Sequence, residues 1–412
     1  MNDSTKPGRA VQYWLAVMLG LAILLTYVDR GAVATAAPKM NAELGLDPAQ
    51  FGFLVSVFFY PYTLLQLVVG WLCDRHSVYR LFSWGVAIWA LATLLTGFVE
   101  GFVLLVALRL LLGLGEAICF PGASKIIAQN IAPERRGLSN AIVIAGVAFG
   151  PAVGTLFGGM ILIEWGWRAI FTVFGGLTLV WLLPWMLISR RLVDVSPQAA
   201  AEPTYPMHRL LRFRALWAVS LGHFCGNFVI YFIVAWLPLY LAKERALGVE
   251  TMTVLATATF MAQGVMAIVA GWGSDRWTAS GRDEGAMRRT LSAGGALVSA
   301  LGIVGIAYSP NSLAVLLPWL LLTGAAAGVL SINIFALAQM FAGPRLAGSW
   351  VGVQNFFANF AGIIAPAVTG VMIARSGNYT SAFMLAAAVS VLGGLSWLFF
   401  MPKVRQVEVG AA

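Results

Sequence analysis

Long apolar runs separated by short polar clusters repeat from one end of the chain to the other. A hydrocarbon core about 30 Å thick takes roughly 20 helical residues to cross. On that ruler the first six runs fall at 13–37, 51–72, 81–99, 102–123, 139–163 and 169–188. Six more fall at 215–241, 252–272, 290–308, 313–341, 348–374 and 379–401. Between the two sets lies a polar stretch with Pro197, Pro203, Pro206 and five arginines. The pattern predicts an all-α membrane protein with twelve transmembrane helices. Its parts are an N-terminal six-helix bundle over 1–188, a cytoplasmic linker over 189–214 and a C-terminal six-helix bundle over 215–412. Lys6 and Arg9 precede a first run much longer than the apolar region of a leader peptide, without a small-residue cleavage site. It reads as a first membrane helix rather than a cleaved signal.

Composition agrees, with 60% hydrophobic and 10% charged residues against about 25% charged in ordinary soluble domains. The net charge of +9 could suggest a nucleic-acid partner, but the basic residues sit in short clusters between apolar runs, as loop charges do. No nucleic-acid partner is expected. With the N-terminus placed in the cytoplasm, the tails and even-numbered loops hold 19 of the 26 Lys and Arg residues, and the odd-numbered loops hold five. The positive-inside rule therefore puts both termini in the cytoplasm. Cys73, Cys119 and Cys225 have no metal-ligand or redox spacing. Neither a metal, a cofactor nor a nucleophile–base set is discernible, so no enzyme is expected.

Four ionisable residues lie well inside the apolar runs: Asp29, Arg30, Arg109 and Glu116. A charge at the bilayer centre costs about 2.5 to 3.5 kcal/mol on insertion scales, so it is kept when paired, solvated or used. Arg109 and Glu116, seven residues apart, share one helix face about 10 Å apart along the axis. Asp29 and Arg30 are neighbours and point about 100° apart, with Tyr27 near the face of Arg30. A guanidinium presents a planar fork of donors that matches a carboxylate. Arg30 is therefore the first choice for an anion's carboxylate. Carboxylates shielded from water can exchange a proton near neutrality, which makes Asp29 and Glu116 candidate proton sites. The competing reading is that all four pair internally, Asp29 with Arg109 for instance, and hold the bundle together.

The C-terminal spans contain no Asp, Glu, Lys or Arg in their interiors. They offer only neutral contacts, from Asn227, Tyr231, Ser331, Asn333, Gln354, Asn355 and Asn359; Tyr62 and Gln66 do the same in the second span. Each could equally join two helices. His223, near the start of the seventh span, is expected to bond the backbone rather than relay a proton.

Gly70-Trp71-Leu72-Cys73-Asp74-Arg75 after the second span recurs as Gly271-Trp272-Gly273-Ser274-Asp275-Arg276 after the eighth. An aspartate can bind a neighbouring helix's N-terminus and an arginine its C-terminus. Asp74, Arg75, Asp275 and Arg276 are therefore expected to form a conformational latch.

The run Gly70 to Arg80 resembles the signature of the major facilitator superfamily, with Ser77 where a second glycine is usual and Arg80 one place late. Within it the chain is similar to the anion:cation symporter group, which holds bacterial sugar-acid transporters, sialin and the vesicular glutamate transporters. That likeness is carried by Tyr27-Val28-Asp29-Arg30, by Arg109 with Glu116, by Phe120-Pro121-Gly122, by Trp167-Arg168 and by Asn227 to Leu241. It implies a multi-pass carrier of the bacterial inner membrane that imports a small organic anion with protons by alternating access. Arg30 would contact the anion alongside Tyr27, Tyr62, Ser331, Asn355 and Asn359. Asp29 and Glu116 would carry protons, with Arg109 tuning Glu116. No cofactor beyond the coupling proton is implied, the partners are the anion, protons and the lipid bilayer, and a monomer is expected. A position that is glutamine in some sugar-acid transporters is Val147 here, which argues against simply naming galactonate. Gly146 to Pro151 resembles in part a glycine-proline motif of facilitator antiporters, so an organic-anion exchanger stays open, as does a drug-efflux carrier.

Overall fold

The computed structural model of the chain describes residues 8–131, 133–190, 192 and 207–407; the side chains of some helical positions, Asp74 among them, lie outside the described residues, as does most of the expected linker. Every regular element among the described residues is helical. In the first half these are α1 (Arg9–Leu44), α2 (Pro48–Val57), α3 (Phe59–Arg75), α4 (Val78–Thr96), α5 (Phe102–Glu116), α6 (Cys119–Asn130) and α7 (Pro133–Ser189). The second half holds α8 (Met207–Leu210), α9 (Arg214–Lys243), α10 (Val249–Ala279), α11 (Glu284–Tyr308), α12 (Leu313–Ser376) and α13 (Thr380–Leu395), which runs into a π-helical turn at Ser396–Phe400.

Eleven helical stretches are long and apolar enough to cross a membrane, and the one at Leu138–Ser189 is 52 residues long. It holds two of the expected spans, divided at Gly166 (φ 81°, ψ 175°), so the predicted twelve crossings are all present. Gly343 (φ 63°, ψ 177°) divides α12 in the same way. Positive φ is open to glycine because it has no Cβ.

Local capping explains several helix starts. Asp47 and Gln50 form a capping box at α2, with Gln50 N donating to Asp47 Oδ1 (2.8 Å) and Asp47 N to Gln50 Oε1 (3.0 Å). Ser77, at the position where the signature has glycine, accepts from Arg80 N and caps α4. Asp283 accepts from Ala286 N (3.0 Å) at the start of α11.

The second and fourth spans each comprise two helices, α2 and α3 meeting at Phe58 and α5 and α6 meeting at Ala117–Ile118. The backbone keeps right-handed helical angles at all three residues, so each pair runs on as one continuous stretch, the fourth as far as Asn130. Gly113 lets α5 approach this point closely, because a Cβ there would run into the Phe58 carbonyl oxygen.

The chain folds as two compact units, Met1–Glu202 with Leu247–Thr253 and Pro203–Ala246 with Val254–Ala412. In the first, α1 and α7 pack along a stripe of glycines spaced by four. A Cβ on Gly146 would lie 2.7 Å from the Gly20 carbonyl oxygen, and Cβ atoms on Gly150 and Gly154 would collide with Tyr27 and Val28. Without a solvent-driven hydrophobic effect in lipid, such close backbone approach supplies van der Waals attraction between helices. In the second unit, Leu216, Phe341, Trp350 and Trp397 centre an apolar cluster. The tail closes on that cluster through Val407 N donating to Phe341 O (2.8 Å).

Candidate functional site

Helices α1, α3, α4 and α5 of the first unit bring the sequence's four internal charges together. Arg30, from α1, donates through Nη2 to Glu116 Oε2 on α5 at 3.0 Å, with the two side chains 8% and 0% exposed. Ring centroids of Tyr27 (4.2 Å), Phe58 and Tyr62 (both 5.2 Å) and Phe59 (5.9 Å) surround the guanidinium carbon. Phe58 and Tyr62 stack at 25° between ring planes. Phe58 lies at the junction of α2 and α3, Phe59 follows it, and Tyr62 comes one turn later on α3. Rings over the guanidinium faces attract its charge and leave hydrogen bonding to its edges, where a planar anion is recognised.

Asp29 is equally buried but is held differently. Its Oδ2 accepts from Trp89 Nε1 (2.7 Å) and Thr93 Oγ1 (3.0 Å), both on α4. Its Oδ1, like Oε1 of Glu116, is buried without a hydrogen-bond partner among the described residues. Arg109 is buried and stands in no ion pair within 4 Å among the described residues. The family resemblance implied Arg109 as the residue tuning Glu116; the side chain hydrogen-bonded to Glu116 is that of Arg30. The internal pairing of Asp29 with Arg109 is likewise not formed. About ten ångströms along one helix is too far for Arg109 to reach Glu116, whereas the Arg30 side chain reaches across from α1 to the end of α5.

In the second unit the expected neutral contacts divide. Tyr231 Oη donates to Asn359 Oδ1 at 2.9 Å, joining α9 to α12. Asn355, four residues earlier, is half-buried. Ser331 donates to the Gly328 carbonyl in its own helix, and Asn333 accepts from Arg288 Nη1 (3.2 Å). Arg288 is itself buried at the start of α11, just outside the apolar run. His223 is bonded to a side chain rather than to backbone, with Nδ1 3.2 Å from Gln354 Nε2 and Phe335 edge-on.

The repeated motif lies on the last turns of α3 and α10 rather than in loops. Arg75, Asp275 and Arg276 are exposed, and the Arg276 guanidinium lies 3.9 Å from the Trp272 ring centroid one turn back. Asp275 makes no hydrogen bond or ion pair among the described residues, and the Asp74 side chain lies outside them. At the opposite end of the first unit, Trp167 Nε1 donates to Glu43 Oε2 (2.6 Å) while Arg168 pairs with Glu43 and donates to Val99 O (3.1 Å). These contacts staple α1, the end of α4 and α7, which gives the Trp167-Arg168 dipeptide a structural task.

Sequence reasoning missed Phe58, Phe59, Trp89 and Thr93. The available signal was weak: an indole and a hydroxyl spaced by four on one face of α4, and an aromatic triplet with Tyr62 in α2 and α3.

Comparison with known proteins fits these arrangements. The family model of the Major Facilitator Superfamily matches over residues 19–366 and again over 247–411. The "Probable sulfoacetate transporter SauU" of Cupriavidus necator is 30% identical, over 93% of this chain and 92% of the relative. The "Probable galactarate/D-glucarate transporter GudP" of Escherichia coli (strain K12) is 26% identical, over 97% of this chain and 95% of the relative. Among solved structures, a bacterial homologue of the human lysosomal transporter Spinster, crystallised inward-facing and occupied, shares the fold. It superposes with a TM-score of 0.82 at 18% identity, over 96% of this chain and 98% of that one. The chain belongs to the Major Facilitator Superfamily, and it is a multi-pass membrane transporter rather than an enzyme.

Proposed function

We propose that the protein is a secondary transporter that carries a small organic anion, a carboxylate or sulfonate, together with protons by alternating access. The observation that carries this reading is the Arg30–Glu116 pair inside a cage of four aromatic rings. Glu116 presents to Arg30 the same chemistry as an anionic substrate, so the two compete for one guanidinium. Protonation of Glu116 neutralises the competitor and releases the fork. A substrate anion that takes its place arrives with a proton already on the protein, which is the elementary step of symport. Relatives named as transporters of sulfoacetate, galactarate and glucarate support an anionic cargo.

In this reading Asp29 is a second proton site, and Arg109 acts on both carboxylates through space. Tyr27 and Tyr62 bound the anion site, and Ser331, Asn355 and Asn359 are proposed as further, neutral substrate contacts. Asp74, Arg75, Asp275 and Arg276 would then serve as a latch in another conformation. The excess of basic residues in the tails and even-numbered loops favours a bacterial cytoplasmic membrane with both termini inside, and we take the carrier to act as a monomer. Gly146, Gly150 and Gly154 pack closely against α1, and an organic-anion exchanger is the second reading, kept by the same stretch.

The test is uptake of small carboxylates and sulfonates into proteoliposomes under an imposed proton gradient. Asp29→Asn and Glu116→Gln should each lose accumulation while counterflow exchange persists. Undiminished accumulation in both variants would overturn proton coupling at these residues.

A further inference from the structure

Trp89 and Thr93 sit one turn apart on α4, both buried, and both donate to the same oxygen of Asp29. This convergence is chemically asymmetric. An indole N–H is a donor only, so Trp89 cannot turn to accept a proton from a neutral carboxylic acid. With Oδ2 engaged by two donors, the proton belongs on Oδ1, which is buried and has no partner among the described residues. Donor hydrogen bonds to an ionised acceptor are stronger than those to a neutral one, so the same two residues hold the deprotonated state.

The clamp also backs onto the helix that bears the second carboxylate. A Cβ on Gly115 would lie 2.7 Å from the backbone nitrogen and 2.8 Å from the Cβ of Trp89, and Gly115 directly precedes Glu116. Trp89 is thereby wedged between Asp29 and the end of α5. The charged groups around Asp29 are Arg30 on its own helix and Arg109 and Glu116 on α5. The α7 stretch 137–163 along α1 has no ionisable side chain, α4 contributes none here, and α6 offers the Cys119 thiol and Lys125, whose ammonium is bonded to the Cys73 carbonyl.

We propose that Trp89 and Thr93 are positioning residues for proton coupling: they fix Oδ2 of Asp29, reserve Oδ1 for the proton and set how readily that proton leaves. The proposal rests on the reading of Asp29 as a proton site.

Infrared titration of the purified protein in lipid tests it without any ligand, using the carbonyl-stretch band of protonated Asp29 identified by its loss in Asp29→Asn. Thr93→Val keeps the shape and removes one donor. Its band should persist to higher pH, with a midpoint displaced by about one to two pH units, the loss expected for one hydrogen bond to a charged group. Thr93→Ser should restore the parent midpoint, and Trp89→Phe should move both midpoint and band frequency. A Thr93→Val midpoint that superimposes on the parent's, in protein of normal thermal stability, overturns the clamp. If Trp89→Phe does not fold, the Thr93 pair decides alone. Should Asp29→Asn remove no band, or leave proton-driven accumulation intact, Asp29 is not a proton site and both proposals fall. Loss of band and accumulation in Asp29→Asn with an unmoved Thr93→Val midpoint sinks only the clamp.

Discussion

Replacing Glu116 by glutamine separates the two roles its carboxylate plays toward Arg30. The amide keeps nearly the same shape and can still accept a hydrogen bond from Nη2, now 3.0 Å from Glu116 Oε2, but it carries no charge. An anion bound at Arg30 with Glu116 ionised would sit about 5 Å from a like charge, and at an effective dielectric constant of about 20 that repulsion is about 3 kcal/mol. Three kilocalories correspond to about a hundredfold in dissociation constant. The parent should therefore bind its anion about a hundredfold more tightly where Glu116 is protonated than where it is ionised. Glu116→Gln should bind at the tighter value across the range. A thermal-shift screen of carboxylates and sulfonates at a series of pH values finds the ligand and locates the transition. Calorimetry on the best binder then gives both constants. If Glu116→Gln retains the parent's pH dependence, or the parent shows none, the competition between Glu116 and the substrate is refuted.

The arginine and the glycine beneath its cage give two further expectations. Arg30→Lys keeps the charge but loses the planar fork and the stacking on four rings; anion affinity should fall by about tenfold or more, and equal binding by lysine would exclude bidentate recognition. Gly113→Ala puts a methyl group against the Phe58 carbonyl oxygen, a backbone atom that cannot swing aside. It should cost about 1 to 3 kcal/mol of stability and loosen the Phe58 and Tyr62 stack, read as a lower melting temperature and weaker anion binding; a variant unchanged in both would show that the close approach of Gly113 to Phe58 does not hold the cage.

The crossings were legible because length and polarity change together at each loop, and the bend at Gly166 falls inside the gap the pattern left between the fifth and sixth runs. Apolar composition continues through Phe58 and through Ala117–Ile118, and the backbone stays helical at both points. The four charges do gather in one place, yet their pairing was not readable from spacing. A seven-residue interval places Arg109 and Glu116 on one face, whereas the actual partner of Glu116 depends on the register between α1 and α5, which no local pattern encodes. Trp89 and Thr93 escaped notice for a related reason: an uncharged donor in an apolar helix looks ordinary until a carboxylate from another helix arrives. His223 shows the same limit, since its partner Gln354 is 131 residues away.

Charge balance at the site constrains what it can carry. With Asp29, Arg30, Arg109 and Glu116 all ionised, the cluster is neutral, and all four are buried. A monoanion entering alone would leave one uncompensated negative charge in a setting where such charges are strongly disfavoured. One proton restores neutrality, and Glu116 is the natural recipient because its charge stands directly in the anion's way. A dianion needs a second proton, and Asp29 is the remaining acid. Its position supports that order: Asp29 does not touch Arg30's guanidinium edge but is tied to α4, so its protonation balances charge without altering the anion's donors. The two acids thus differ in kind. In the proposed mechanism Glu116 gates the fork while Asp29 adjusts the sum, and a carrier that moved anions of either valence would need both.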